Sequence, residues 1–270
     1  MSPALFLSVF SLEARKLMSY RADFWINSVL GFVAHYGVMY FLWQALYRES
    51  GQSTIRGWSF GMMILYYVLA ILTGKLVRGA EHLGDIAQDI YDGGLNRYII
   101  YPTSYFRFKY AQHLGNVVPA VVQLVLFAAL YLMLLPMPAE AHISPASVLM
   151  ALPSIMLGNF LYYTLMAPLQ MVAFWADNVW SLNVLFRFAS GLLGGSMLPL
   201  GLFPEWGQRI LVWLPFRQLF SEPVLILLGQ HTPGEWLRSL GVTVFWIGLG
   251  WLLQRALWHK GKLVYTGVGI

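Results

Sequence analysis

Six long stretches of this chain carry no Asp, Glu, Lys or Arg, and no other feature constrains the fold as strongly. They cover residues 24–46, 57–74, 110–135, 145–176, 188–204 and 239–254. A bilayer core about 30 Å thick is crossed by about 20 apolar residues in a helix. Inside lipid every backbone N–H and C=O must be paired within its own segment, which leaves only the helix for stretches of this kind. The sequence therefore predicts an all-α polytopic membrane protein with six transmembrane helices, at 24–46, 57–76, 108–135, 147–175, 179–203 and 237–257.

Charged residues are 11% of the 270, against about 25% in soluble domains. Six spans leave only short connections, so residues 1–270 read as one transmembrane domain. With no cysteine, disulfides and thiolate metal sites are excluded. No cleavable signal peptide is expected, because Glu13, Arg15 and Lys16 interrupt the apolar start. With six spans, eleven basic residues fall on the side of the termini (Arg15 and Lys16 through Lys260 and Lys262) and five on the other (Arg48, Arg56, Arg209, Arg217 and Arg238). The positive-inside rule then puts both termini in the cytoplasm.

Three segments are neither ordinary spans nor ordinary loops. Residues 1–22 place Ser8, Ser11, Arg15 and Ser19 on one helical stripe and Phe6, Phe10 and Leu17 on another, the pattern of a helix lying in the membrane interface. In 79–93, Glu81, Asp85, Asp89 and Asp92 share one helical face while Leu83, Ile86 and Ile90 share the opposite one, and Gly93–Gly94 ends the helix. Membrane-surface helices usually carry basic polar faces. An acidic one is either a protein-docking face or a solvated one. Residues 204–233 hold Pro204, Pro215, Pro223 and Pro233 around two apolar pieces too short to span. They read as a re-entrant segment, the alternative being a loop on the outer surface. Gly191, Gly194 and Gly195, with Ser190 and Ser196, mark either a dimerisation face or close packing within the chain. Pro168 is expected to kink the fourth span.

Catalytic signatures are missing. Gly74–Lys75 and Gly261–Lys262 are each followed by Leu, which excludes a P-loop. The six histidines have no ligand spacing; His35 and His113 lie within spans, where an ionisable residue is a functional candidate or a hydrogen-bonding partner of a neighbouring helix.

In order and spacing, these pieces resemble the six-span permease subunit of an ABC-2 type transporter. The matching stretches begin with Tyr20-Arg21-Ala22-Asp23-Phe24, Leu42-Trp43-Gln44-Ala45-Leu46-Tyr47, Asp89-Ile90 and Gly94-Leu95-Asn96-Arg97-Tyr98. They continue through Tyr101-Pro102, Phe174-Trp175 with Asp177, Leu198-Pro199-Leu200 and Leu214-Pro215-Phe216 to the tail from Trp258 to Tyr265. The resemblance implies a non-catalytic exporter subunit in a bacterial inner membrane. It implies a coupling helix at 79–93, with Glu81, Asp85, Ile86, Asp89, Ile90 and Asp92 meeting a separate ATPase. It also implies an extracytoplasmic gate that includes Phe203, Pro204, Leu214, Pro215, Phe216 and Pro223. The expected partners are two ATPase copies, a second permease subunit that is either identical or different, and membrane lipid, but no nucleic acid. No cofactor is expected in this chain, since ATP and magnesium belong to the ATPase. Two other classes stay open: a membrane-embedded lipid-modifying enzyme, and a membrane anchor for another assembly.

Overall fold

The computed structural model describes residues 2–19, 21–79, 85–100, 103–134 and 136–266. In chain order the helices are α1 (Pro3–Ser19), α2 (Arg21–Ser50), α3 (Phe60–Arg78), α4 (Asp85–Tyr91), α5 (Leu95–Ile100) and α6 (Tyr105–Gly115). They continue as α7 (Val118–Leu134), α8 (Pro145–Met171), α9 (Trp180–Leu193), α10 (Glu205–Leu211), α11 (Ser221–Leu227) and α12 (Pro233–Val264). A minimal hairpin of β1 (Thr54–Ile55) and β2 (Trp58–Ser59) joins α2 to α3. Its two turn residues, Arg56 and Gly57, both have positive φ, as the tight two-residue hairpin turn requires.

Five helical stretches are long and apolar enough to cross a membrane: α2, α3, the α6–α7 run, α8 and α12. The chain is a multi-pass membrane protein. The remaining expected span, 179–203, is helical only through the 14 residues of α9, about 21 Å at 1.5 Å per residue. The helix stops because Gly195 turns to φ +90° and the chain closes against its neighbours. Tyr66 Oη donates to the Gly195 carbonyl at 2.8 Å, and the Ser221 amide donates to the Gly194 carbonyl at 2.9 Å. A Cβ on Gly194 would lie 2.6 Å from Phe220, and one on Gly195 would lie 2.7 Å from Tyr66 Oη. Here the small residues of this stretch serve packing within the chain.

α3, α8 and α12 run parallel and in register. Asn159 of α8 donates to the Leu76 and Val77 carbonyls of α3, and Trp236 near the start of α12 donates to the Met150 carbonyl of α8. Gly250 meets the Thr164 backbone further along, where a Cβ would lie 3.0 Å from the Thr164 oxygen. The end where these three helices begin is termed distal, and the end where they finish basal. Both α8 and α12 start with a capping box and a proline in the first turn: Ser144 with Ser147, and Thr232 with Glu235. α12 therefore begins at Pro233 rather than near residue 237. α8 continues three residues past Pro168 before tightening into a 3-10 turn at Val172–Phe174.

The 204–233 segment is folded inward from the distal end. Trp246, 13 residues into α12 and so about 20 Å along it, donates from Nε1 to the Trp213 carbonyl at 2.8 Å. Gly158, equally far along α8, leaves room for the Gln218 carbonyl, which a Cβ would meet at 3.3 Å. From this apex α11 runs back, so that the Leu227 carbonyl accepts from Ser147 and the Leu228 carbonyl from the His142 amide. Leu219, Phe220, Val224 and Leu228 are fully buried. An internally packed hairpin is how irregular backbone survives at such depth, because its polar groups find partners in the protein.

At the basal end α1 lies against α6. Gly115 permits the approach, since a Cβ there would sit 2.7 Å from the Phe10 carbonyl. Glu13 and Ala14 are buried at this contact, whereas Leu5, Leu7 and Leu12 are exposed. Phe6 and Phe10, which the sequence placed on an interfacial face, are partly buried.

Candidate functional site

A cavity of about 860 Å³ lies between α2, α3 and α9. It extends from Arg78 and Gly79 at the basal end to the Ser196–Met197 bend that follows α9. α2 contributes Asn27, Ser28, Phe32 and His35 to its wall; α3 contributes Ile71, Lys75 and Arg78; α9 contributes Arg187 and Phe188. These positions recur every three or four residues along their helices, so each helix offers one stripe to the cavity.

A polar relay fixes one wall. Lys75 Nζ donates to Gln123 Oε1 at 2.8 Å, and Gln123 Nε2 donates to Ser28 Oγ at 2.8 Å, which ties α3, α7 and α2 together. Arg78 stacks over the Phe220 ring, 4.6 Å from its centroid. The basal end of α3 is therefore in direct contact with the residue that follows the hairpin apex. His113 is partly buried beside α3, with Nε2 3.0 Å from Asn159 Nδ2, and so belongs to the interhelical polar contact. His35, by contrast, lines the cavity.

The acidic segment is divided by the structure. Glu81 lies outside the described residues. Asp85 opens α4 and is exposed, as is Asp92, which accepts a hydrogen bond from Gln88 at 2.7 Å. Asp89 is engaged internally: Oδ2 lies 2.7 Å from Lys109 Nζ and accepts from Tyr105 Oη at 2.7 Å. Ile86 and Ile90 are buried in a cluster with Ala167, Met171, Phe174 and Val179, and Leu95 beyond Gly93 joins them. The Ile86 amide donates to Gln170 Oε1 at 2.9 Å. α4 is thus bolted to the basal ends of α6 and α8. A small polar pocket of about 240 Å³ beside it is lined by Glu13, Lys16, Asp85, Lys109, Gln112 and Asn116 from α1, α4 and α6.

The distal set is dispersed. Pro215 and Pro223 are buried in the hairpin, Leu214 and Phe216 are partly buried beside its apex, and Phe203 and Pro204 lie ahead of α10, with Pro204 exposed. The sequence reading missed the ion cluster that braces this region. Glu222 accepts from Arg217 Nε at 2.6 Å, and its other oxygen lies 2.9 Å from His231 Nε2. Glu222 lies outside the five spanning helices. Burial opposes its ionisation, but the His231 hydrogen bond and the Arg217 charge outweigh that, so its pKa falls below the ordinary 4.5.

Asn159, Gln123 and Tyr66 were also missed. Their signal was present as polar groups inside uncharged spans, where buried amides and phenols seek partners on neighbouring helices. Sequence alone does not say which partners.

The sequence profile described as "ABC-2 family transporter protein" matches residues 33–269. No curated protein and no solved structure matches the chain. The profile covers all of α3 through α12 and most of α2, so the chain belongs to the ABC-2 transporter family.

Proposed function

We propose that this ABC-2 family member is the non-catalytic permease subunit of an exporter driven by a separate ATPase. The observation that carries the reading is the cavity between α2, α3 and α9, which ends at the Ser196–Met197 bend. A cavity that runs along the spanning helices from Arg78 toward the Ser196–Met197 bend suits a cargo pathway. The hairpin of α10 and α11 is the re-entrant distal gate, and the α9 stretch with its bend completes a sixth crossing. α4 is the coupling helix, offering Asp85 and Asp92 to the ATPase, while Ile86, Ile90 and Asp89 anchor it to the bundle. α1 lies in the cytoplasmic interface, with Leu5 and Leu12 on one exposed face. Both termini are cytoplasmic, and the membrane is the bacterial inner membrane.

The working unit contains two ATPase copies and a second permease, identical or different. ATP and magnesium reside in the ATPase. Its closure displaces α4, and the Asp89–Lys109 and Ile86–Gln170 contacts pass that displacement to α6 and α8. Rigid-body motion of packed helices then shifts access from one side to the other. Affinity purification from the native membrane in mild detergent, with identification of the bound subunits, tests the reading. A P-loop ATPase at near-equal amount supports it. Recovery of the chain alone, or with copies of itself only, overturns it.

A further inference from the structure

α10 has one face pinned to the chain and one that the chain leaves uncovered. On the inner face Gly207 and Leu211 are buried, and Gln208 Nε2 donates to the Gly201 and Phe203 carbonyls at 3.1 and 2.8 Å. The outer face carries Glu205, Trp206, Arg209 and Ile210, with Trp213 in the turn that follows, and all five are exposed. The level of this face is set by two contacts. Gly201 lies beside Trp58, two residues before α3 opens at the distal end; a Cβ there would lie 3.3 Å from Trp58 Nε1. At the other end the Trp213 carbonyl accepts from Trp246, which lies about 10 Å past Ser239, where the charge-free stretch of α12 begins. α10 therefore descends from the distal rim into the depth that α12 crosses without charge. Eight residues separate Glu205 from Trp213, and eight separate Arg238 from Trp246, so Glu205 falls near the level of the last distal charge of α12. Arg209, one turn deeper, is long enough to carry its guanidinium back toward that level.

Charge at the rim, then tryptophan, then apolar surface is the order of a bilayer interface. Phe245, edge-on to Trp246, is exposed and extends the apolar surface onto α12. A protein partner fits this face less well. The core of a protein interface is depleted in charge, whereas Glu205 and Arg209 stand 3.8 Å apart and almost wholly exposed. We propose that the outer face of α10 is seated in the distal leaflet of the bilayer, with lipid rather than a second subunit as its partner. Glu205 and Arg209 lie among the head groups, and Trp206, Ile210 and Trp213 lie progressively deeper against the acyl chains. The proposal requires only that the chain cross a membrane, and does not rest on the permease reading above.

The chain has no cysteine, so nitroxide labels on Glu205→Cys, Trp206→Cys, Ile210→Cys and Trp213→Cys, one at a time, report on this face directly. The labelled chain is purified with its bound subunits, placed in phosphatidylcholine vesicles, and read against the unaltered assembly carried through the same labelling. Oxygen concentrates among acyl chains and a nickel chelate stays in water. Strong oxygen broadening is expected at positions 206, 210 and 213, with chelate access lost progressively from 205 to 213. Chelate access at 213 equal to that at 205 overturns the proposal, because the face is then in water. Exclusion of both probes at 206, 210 and 213 also overturns it, because protein then covers the face. The unlabelled Trp206→Phe/Trp213→Phe variant gives a second readout. Quenching of tryptophan fluorescence by lipid brominated on its acyl chains is expected to fall below that of the unaltered chain, and unchanged quenching overturns the lipid contact. Both readouts are indifferent to whether an ATPase is bound.

Discussion

α2 and α3 both line the cavity, yet they are built in opposite ways. In α3, 72% of the most apolar stretch is buried inside the protein; in α2 the share is 6%. α3 is packed by the hairpin, α8 and α7 through Tyr66, Tyr67, Leu72 and Val77. α2 presents Ile26, Leu30, Val33 and Phe41 outward, and α9 presents Leu185. The cavity thus has one wall inside a fixed body and two whose outer faces this chain leaves uncovered, available to lipid or to a second subunit. The fixed body holds the distal hairpin and the basal anchor of α4. Under the proposed function, a push at the basal end would travel through α8 and α3 rather than through α2 or α9.

The largest expected effect follows from breaking the fixed body at its centre. Phe220 is fully buried, fills the space that Gly194 leaves open, lies 3.8 Å from where a Cβ on Gly74 would be, and carries the Arg78 guanidinium. Phe220→Ala removes all of these contacts and is expected to cost about 3–5 kcal/mol, the usual range for a buried phenylalanine. Thermal unfolding in detergent checks it. A drop no larger than that of an exposed control would mean that the hairpin is not part of the fixed body.

Next in size is the ion cluster at Glu222. Glu222→Gln leaves Arg217 and His231 facing a neutral amide in a buried site. The expected loss is about 2–3 kcal/mol, below the full cost of breaking a buried pair because glutamine still accepts one hydrogen bond. The pH dependence has a definite sign. A carboxylate whose folded pKa is depressed contributes fully above its unfolded value and loses the contribution as pH falls through the folded one. The stability gap between the unaltered chain and the variant should therefore hold above pH 4.5 and close below it. A gap constant down to low pH would remove Glu222's charge from the account.

Asp85 and Asp89 sharpen the comparison at the basal end, because the helical pattern made them equivalent and the fold does not. Asp89→Asn gives up the Lys109 ion pair and weakens the Tyr105 bond, for an expected loss of about 1.5–3 kcal/mol. Asp85→Asn, at an exposed position, should cost less than that. Under the proposed function, Asp85→Lys should lower ATPase recovery at nearly native stability. Equal stability losses at the two positions would erase the distinction between an anchoring and a docking aspartate.

The same contrast marks how far the sequence could be read. Absence of charge located the spanning helices, since lipid permits nothing else over such lengths. The prolines and short apolar pieces marked the 204–233 segment as folding back. The early end of α9 was less visible: Gly194 and Gly195 are compatible with a continuous helix until Phe220 and Tyr66, remote in sequence, are brought against them. The start of α12 is legible in Thr232-Pro233-Gly234-Glu235, a capping box with a proline in the first turn that hydropathy does not register. The cavity between α2, α3 and α9 was not legible in the sequence. Its cations come from helices about 110 residues apart in the chain (Lys75 to Arg187), and no local pattern connects them.

The smallest expected effect is at the same time the most direct test of the uncovered wall. Phe188 lies on the cavity side of α9, is 55% exposed and packs into none of the core clusters. Removing its ring uncovers no buried surface and leaves no internal void, so Phe188→Ala should change stability by no more than about 0.5 kcal/mol. Phe220, one helix away, differs by about an order of magnitude for the same deletion, because cavity cost depends on how closely the surroundings are packed. Parallel thermal unfolding of the two variants makes the measurement. If Phe188→Ala were as damaging as Phe220→Ala, α9 would be part of the fixed body, and its outer face would need a partner already present in the isolated chain.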